Sequence, residues 1–244
     1  KFSTSLAANQ FRWFPYISQS VHERYEVGGE GNALPISQTT QTATVNSYGE
    51  PTVITTVGAD QTGSGLSYTT TTTNTYATAD TANWCVSFVE RQQIQSTVPG
   101  YGSDTRTVDH TKDTDATKCR ASHEIIEPTD AGGDLKVTTQ FAYDAFGHVR
   151  TQTVTAKDID PRVTTIDFGT QGVFPTTITN AEGETTVNTF DFALGVLETT
   201  RDPNHQTVSF DHDGFGRITQ VTRPDSTKTA LTLSACTAGN SYCG

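Results

Sequence analysis

The sequence has no methionine, few leucines, and only 33% AVILMFWYC residues over its 244 positions. No run of about 18 apolar residues occurs, so nothing reads as a bilayer-spanning helix. No window carries apolar residues at i, i+3, i+4 and i+7 over three turns, so amphipathic helices are not expected either. Basic residues are few: 16 Lys and Arg stand against 27 Asp and Glu, a formal charge of −11. Because they are scattered, they offer no counterion-releasing patch, and a nucleic-acid partner is not expected. The same sign disfavours an anionic membrane surface. Asn-X-Ser/Thr sequons are missing as well. The chain opens on Lys1-Phe2 without a charged segment and apolar stretch of the leader type, so a start inside a longer precursor is expected.

Threonine fills the space, at about a fifth of all residues. Its β-branched side chain is stiff at χ1 and suits a pleated, half-exposed surface better than a helix. The expected fold class is therefore all-β with almost no helix. The cysteines are Cys85, Cys119, Cys236 and Cys243. An even count in a Thr-rich, Met-free chain fits an oxidising compartment, with Cys236 and Cys243 closing a short turn-forming loop and Cys85 pairing with Cys119. Zinc is the competing reading, since His110 and His123 lie near Cys119, but no ligand pair has zinc-site spacing.

Three segments are expected: a non-repeating β segment over 1–130, about four hairpin repeats over 131–235, and a short Cys-containing tail over 236–244. In the first, Gln38 to Asn46 and Pro51 to Val57 read as strands about a turn at Ser47-Tyr-Gly-Glu50, and Tyr68 to Tyr76 as an exposed strand. Ala77 to Asn83 reads as a turn or short helix. The repeats begin with Lys136 to Asp144, a turn at Ala145-Phe-Gly147, and a return strand from His148. The second runs from Arg162 to Asp167, turns through Gly169 and Gly172, and returns from Val173 to Ile178. The third runs from Glu184 to Asp191 and turns at Gly195; the fourth runs from His205 to Asp211 and turns at Gly214-Phe-Gly216. The marker glycines Gly147, Gly172, Gly195 and Gly216 lie 25, 23 and 21 residues apart. Second turns fall at Asn180-Ala-Glu-Gly183, Asp202-Pro-Asn204 and Arg223-Pro-Asp225. In such a unit an aromatic packs across the hairpin, Asp bonds backbone N–H groups of the turn, and Gly supplies the positive φ. One hairpin is marginal alone, but a stack in which each covers its neighbour's edge is stable.

Phe141-Ala-Tyr-Asp-Ala-Phe-Gly-His-Val-Arg150 and Phe210-Asp-His-Asp-Gly-Phe-Gly-Arg-Ile218 resemble the Y-D-x-x-G-R-x repeat of the Rhs/YD-repeat family. That family includes bacterial Rhs toxins, the B/C components of insecticidal Tc toxin complexes and, more distantly, teneurins. On this resemblance the repeat-defining residues are Tyr143, Asp144 and Gly147; Phe190, Asp191 and Gly195; and Phe210, His212, Asp213, Gly216 and Arg217. His148 stands in the arginine's place in the first copy and His212 in the tyrosine's place in the last. Asp202-Pro-Asn-His-Gln-Thr207 resembles the family's D-P-x-G-x-T connector. The resemblance implies hairpins stacked into a long curved sheet or partial shell, in the N-terminal part of a repeat shell that encloses a toxic or effector polypeptide. The implied partners are the remaining repeats of the same precursor, other copies of the chain, and an enclosed effector. The implied location is secreted, extracellular or cell-surface.

Little in the sequence points to chemistry. Asp211-His-Asp213 falls on a hairpin turn, where Asp recurs for backbone reasons. Asp113 and Asp115 have the spacing that opens a calcium loop, but the glycine and terminal glutamate of that pattern are missing. Gly28-Gly-Glu-Gly31 and Gly63-Ser-Gly65 match neither a phosphate loop nor a nucleophile elbow. No catalytic residue, metal ligand or cofactor is expected, and the chain is not expected to be an enzyme. Two alternatives differ in class. A carbohydrate- or cell-surface-binding β module would draw on Phe11, Trp13, Phe14, Tyr16 and Trp84; a self-assembling filament subunit would draw on open sheet edges.

Overall fold

The computed structural model describes residues 2–6, 13–26, 35–61, 65–115 and 117–232. They form eighteen strands and, among the described residues, no helix. In chain order these are β1 (Phe2–Leu6), β2 (Trp13–Ile17), β3 (Gln19–Arg24), β4 (Ser37–Val45), β5 (Pro51–Asp60), β6 (Ser67–Tyr76), β7 (Val89–Val98), β8 (Gly102–Lys112) and β9 (Ala121–Ile126). There follow β10 (Val137–Tyr143), β11 (Val149–Ala156), β12 (Ile159–Asp167), β13 (Thr177–Thr179), β14 (Thr185–Asp191), β15 (Val196–Arg201), β16 (Thr207–His212), β17 (Ile218–Thr222) and β18 (Lys228–Ala230). Strands β1 and β2 pair with each other, and β3 to β18 follow one another in chain order through a 16-stranded antiparallel sheet. The all-β class and the stacked hairpins read from the sequence are what the structure shows.

The chain divides into two compact units, Lys1–Gln140 with Val154–Asp160, and Phe141–Thr153 with Pro161–Gly244. In unit 1 the strands β4 to β8 are nine to eleven residues long and rich in Thr and Gln. Thr hydroxyls meet across the ladder, Thr44 with Thr52 at 2.9 Å and Thr55 with Thr71 at 3.5 Å. The Thr69–Asn74 stretch, expected to be exposed, is half-buried, because β6 is an inner strand paired with β5 on one side and β7 on the other. The segment at Ala77–Asn83 contains a turn closed by an antiparallel bridge between Asp80 and Cys85, so the helical option is not taken.

Few side chains are fully sequestered. Among the described residues, Cys85 and Phe88 are the buried apolar ones, and Thr107 and Thr139 the buried polar ones. The ladders, the cross-strand pairs and a disulfide therefore carry more of the fold than a thick apolar core does.

Unit 2 has shorter strands, three residues in β13 and five to seven in β14 to β17. The return strand of the second repeat begins at Thr177, later than the expected Val173. Pro175 has no N–H to give a ladder, and Phe174 instead stacks on Phe190 with centroids 4.7 Å apart. The longer connection is closed by Gly172 N–H on Phe168 O at 3.2 Å and Thr176 N–H on Asp167 O at 2.8 Å.

Candidate functional site

The feature that recurs is a five-residue turn. In Asp213-Gly-Phe-Gly-Arg217 the Asp213 N–H donates to Arg217 O at 2.9 Å and Gly216 N–H donates to Asp213 O at 3.0 Å. The Asp213 carboxylate accepts from the N–H of Phe215 at 2.9 Å and of Arg217 at 3.1 Å. Gly216 has φ +77°, so this is a type I turn whose left-handed fourth residue forms a glycine bulge. Asp144-Ala-Phe-Gly-His148 repeats every one of these bonds, with Gly147 at φ +97°.

The second turn of the third repeat, Asn180-Ala-Glu-Gly-Glu184, repeats them again with an amide in place of the carboxylate. So does Asn46-Ser-Tyr-Gly-Glu50 in unit 1, within the segment where no repeat is legible in the sequence. In Asp202-Pro-Asn-His-Gln206 the left-handed place is taken by His205 at φ +63°, and in Arg223-Pro-Asp-Ser-Thr227 by Ser226 at φ +68°. The signal that finds the copies at Asn46 and Asn180 is Asn/Asp-x-x-Gly-x, a broader pattern than Tyr-Asp-x-x-Gly.

The charged ends of these turns are neutralised locally. The Arg217 side chain, 2.6 Å away through Nη2, with the Phe215 N–H, holds the Asp213 carboxyl below the usual carboxylate range. At Asp144 burial pushes the carboxyl up, but the backbone and ring N–H groups of His148 and the Phe146 N–H outweigh it and the net direction is down.

Successive hairpins of unit 2 interlock through the marker glycines. A Cβ on Gly172 would lie 2.8 Å from the Phe146 ring, and one on Gly195 would lie 3.7 Å from Phe174. A Cβ on Gly216 would lie 3.2 Å from Val196 Cγ1. Gly172, and more weakly Gly216, thus serve twice, giving the turn a positive φ and leaving room for the preceding hairpin's apolar side chain, whereas at Gly195 a Cβ would make an ordinary contact. His148 stacks on Phe168 with centroids 4.3 Å apart, which extends the same contact.

The other repeat-defining residues fall on strand ends beside the turns. Tyr143 sits half-buried, 6.5 Å between centroids from Phe141; Phe190 lies under Phe174; Asp191 caps Ala193 and Leu194 N–H groups at 2.8 and 3.1 Å. Phe210 and His212 lie on β16 opposite Val221 and Ile218.

Cys85 and Cys119 form a disulfide between the β6–β7 and β8–β9 connections, which lie at the same end of their strands. Cys236, Cys243, Phe11, Gly28 to Gly31, Gly63 and Ser64 lie outside the described residues. Trp13 lies on β2, Tyr16 is half-buried there, and Trp84 projects from a left-handed turn position, 75% exposed.

Asp211 accepts from Gln220 Nε2 at 2.7 Å, Asp113 pairs with Arg120 at 2.7 Å, and Asp115 bonds the Thr117 hydroxyl at 2.7 Å. The structure does not gather these acids into one cluster, and no group of three His, Cys, Asp or Glu side chains suited to a metal ion occurs among the described residues. His110 Nε2 lies 3.5 Å from Glu124, away from any cysteine ligand set, and its Nδ1 is buried without a hydrogen-bond partner. A cavity of about 480 Å³ in unit 1 is lined by Arg91, Asp109, His110 and Lys112 among others, but Arg91 and Asp109 are already joined by two bonds of 2.6 and 2.7 Å.

The RHS Repeat family model matches residues 193–228, from the turn of the third hairpin to β18. That stretch carries an RHS repeat. It holds Asp202-Pro-Asn-His-Gln206 and Asp213-Gly-Phe-Gly-Arg217, whose hydrogen bonding recurs at Asp144. No curated protein matches the sequence.

Among solved structures, TcdB2-TccC3 without its hypervariable C-terminal region is 13% identical over 78% of this chain, with a TM-score of 0.46. The Tc holotoxin pore of Photorhabdus luminescens is 13% identical over 78% of this chain, TM-score 0.45. A porin-like protein from Bacteroides uniformis is 15% identical over 84% of this chain and 88% of its own, TM-score 0.34. This chain spans 12% of the length of either Tc toxin chain.

Proposed function

We propose that this Rhs/YD chain is a wall section of a larger secreted β-shell that encloses an effector polypeptide. The observation that carries the reading is the interlock of successive hairpins, Phe146 over Gly172 and Phe174 beside Gly195, which makes each hairpin the support of the next. A stack of this kind is extended by adding hairpins and has no natural closure of its own in a run of four. The role is structural: Asp144, Asp211 and Asp213, the acids at the repeat turns, are engaged by turn N–H groups, His148, Gln220 and Arg217. Its partners are further repeats of the same precursor and the enclosed polypeptide, and its place is outside the producing cell. A net charge of −11 favours solubility of such a shell.

The test is protease protection in the natural precursor. A downstream polypeptide should survive proteinase K in the intact protein and be digested once Gly172→Val has disrupted the stack. A precursor with no protected polypeptide, or protection indifferent to an unfolded repeat region, would sink the proposal.

A further inference from the structure

Gly58 stands inside β5 although its backbone does not ask for glycine, since its φ is not positive. A glycine within a strand weakens it, and often marks a place that something else approaches closely. Here that is Tyr68, its cross-strand partner on β6. A Cβ on Gly58 would collide with Cε1 and Cζ of the Tyr68 ring, so the phenol lies across β5 in the space a side chain would fill. The ring is nevertheless 48% exposed, and it forms one wall of an open hollow of about 540 Å³.

The hollow lies where β3 and β5 end and β4 and β6 begin. Cross-strand partners share a face, and so do residues two apart along a strand. The pairs Arg24–Ser37, Ser37–Asp60 and Gly58–Tyr68 therefore gather their side chains on one face of the sheet. Leu66 and Val98 wall the hollow beside the ring. Its polar groups are mostly unused donors: the side chains of Arg24, Ser37 and Tyr68 have no hydrogen-bond or ion-pair partner among the described residues. Asp60, two strands away from Arg24, makes no ion pair with it.

We infer that this hollow of unit 1 binds a small amphipathic carboxylate, with the acid on Arg24 and an apolar body against Tyr68, Leu66 and Val98. An unpaired guanidinium with hydroxyls beside it calls for an acceptor, and a carboxylate matches it with two oxygens. The apolar walls call for a hydrocarbon body. A neutral sugar fits less well, because its many hydroxyl donors would find one carboxylate acceptor, Asp60, on this face. The span sets the size: Arg24 on β3 and the ring lying over β5 are two strands apart, ~9.6 Å, the reach of an acid of about eight carbons.

The probes are octanoate and octan-1-ol, which share a body and differ in charge, titrated into the full chain and followed by amide chemical shifts. Octanoate should move the amides of Gly58, Leu66 and Tyr68, and octan-1-ol should bind the same place about tenfold more weakly. Arg24→Gln should bring octanoate down to the level of the alcohol and leave the alcohol's binding as it was, a split that a purely structural arginine would not give. Gly58→Val, which pushes the Tyr68 ring out of its place, should abolish both. If that variant fails to fold, Arg24→Gln on the exposed edge strand β3 still decides. Equal affinity for acid and alcohol, octanoate binding indifferent to Arg24→Gln, or no shifts at these amides would each overturn the inference. So would methyl glucoside moving the same amides where octanoate does not, since the hollow would then belong to a sugar.

Discussion

In unit 1 the strands β4 to β8 run nine to eleven residues, their connections vary in length, and two of those connections are tied by Cys85–Cys119. In unit 2 the strands β13 to β18 run three to seven residues and are joined by near-copies of one turn, with no disulfide among its described residues. The long ladders tolerate irregular connections because each has many bonds to lose before it opens. The short ones need every turn closed by its own side chain, and they need the aromatic-on-glycine contact between hairpins. The same antiparallel architecture is thus stabilised along the strands in one unit and at the strand ends in the other.

Breaking the disulfide should separate the units most clearly. It closes a segment of sequence separation 34. Constraining the unfolded chain over such a loop is worth about 4 kcal/mol in the loop-entropy account. Cys85→Ser with Cys119→Ser should lower the denaturant midpoint reported by Trp84 fluorescence, while amide-exchange protection of β14 to β17 stays as it was. A common loss of protection would show that the units do not differ in this way.

Next in size are the glycines of unit 2. Gly172→Ala meets both a φ of +63° and the Phe146 ring, and a loss of about 2–4 kcal/mol is expected. Gly183→Ala, at φ +82° with nothing within 4 Å, should cost only the backbone part, about 1–2 kcal/mol. Chemical denaturation of the two variants, with Phe146→Ala added to the first, measures the difference. If Phe146→Ala fails to recover part of the Gly172→Ala loss, the interlock is not what holds the hairpins together.

The turn caps come third. Asp213→Ala leaves two N–H groups without an acceptor and should lower the melting temperature. Asp213→Asn keeps the acceptor, as Asn46 and Asn180 do naturally, and should cost less. Thermal melts that give the two variants the same loss would place the Arg217 ion pair above the cap.

The smallest effect, and the one least able to tell the units apart, is that of acid. Asp109 and Asp113 in unit 1 and Asp144 and Asp213 in unit 2 have folded pKa values below their unfolded ones. Their contribution is complete above the ordinary carboxylate range and is lost as pH falls through the folded values. Denaturation midpoints should therefore fall from about pH 5 downward in both units. Asp213→Asn should flatten that dependence for unit 2 alone, and an unchanged slope would count against the assignment.

Much of unit 2 was legible before the structure, because the period of two along Thr186-Val-Asn-Thr-Phe190 and the glycines that end each strand are local signals. Asp144 and Asp213 as turn caps follow from the same local chemistry. What escaped was the second role of Gly172 and Gly216, which depends on a side chain some 20 to 26 residues upstream and leaves no mark in the glycine itself. The turn over Ser47 to Glu50 was placed, but its likeness to the repeat turns escaped because its neighbours lack the aromatic-Asp pair. The return strand of the second repeat was placed too early, at Val173, since β-branched and aromatic residues read as strand even where Pro175 forbids the ladder. The exposure of Phe146 and Phe215 at the turn tips was likewise visible only in the structure.

One consequence of the strand order concerns how such a chain is made. From β3 to β18 every strand pairs with the strand just before and just after it in the chain. Nothing must wait for a distant partner, so contact order is low for an all-β protein. During synthesis each hairpin can close as soon as its return strand has emerged, with the turn's Asp or Asn already in place, and the growing edge then templates the next arrival. The nascent chain meets its risk of mispairing one strand at a time.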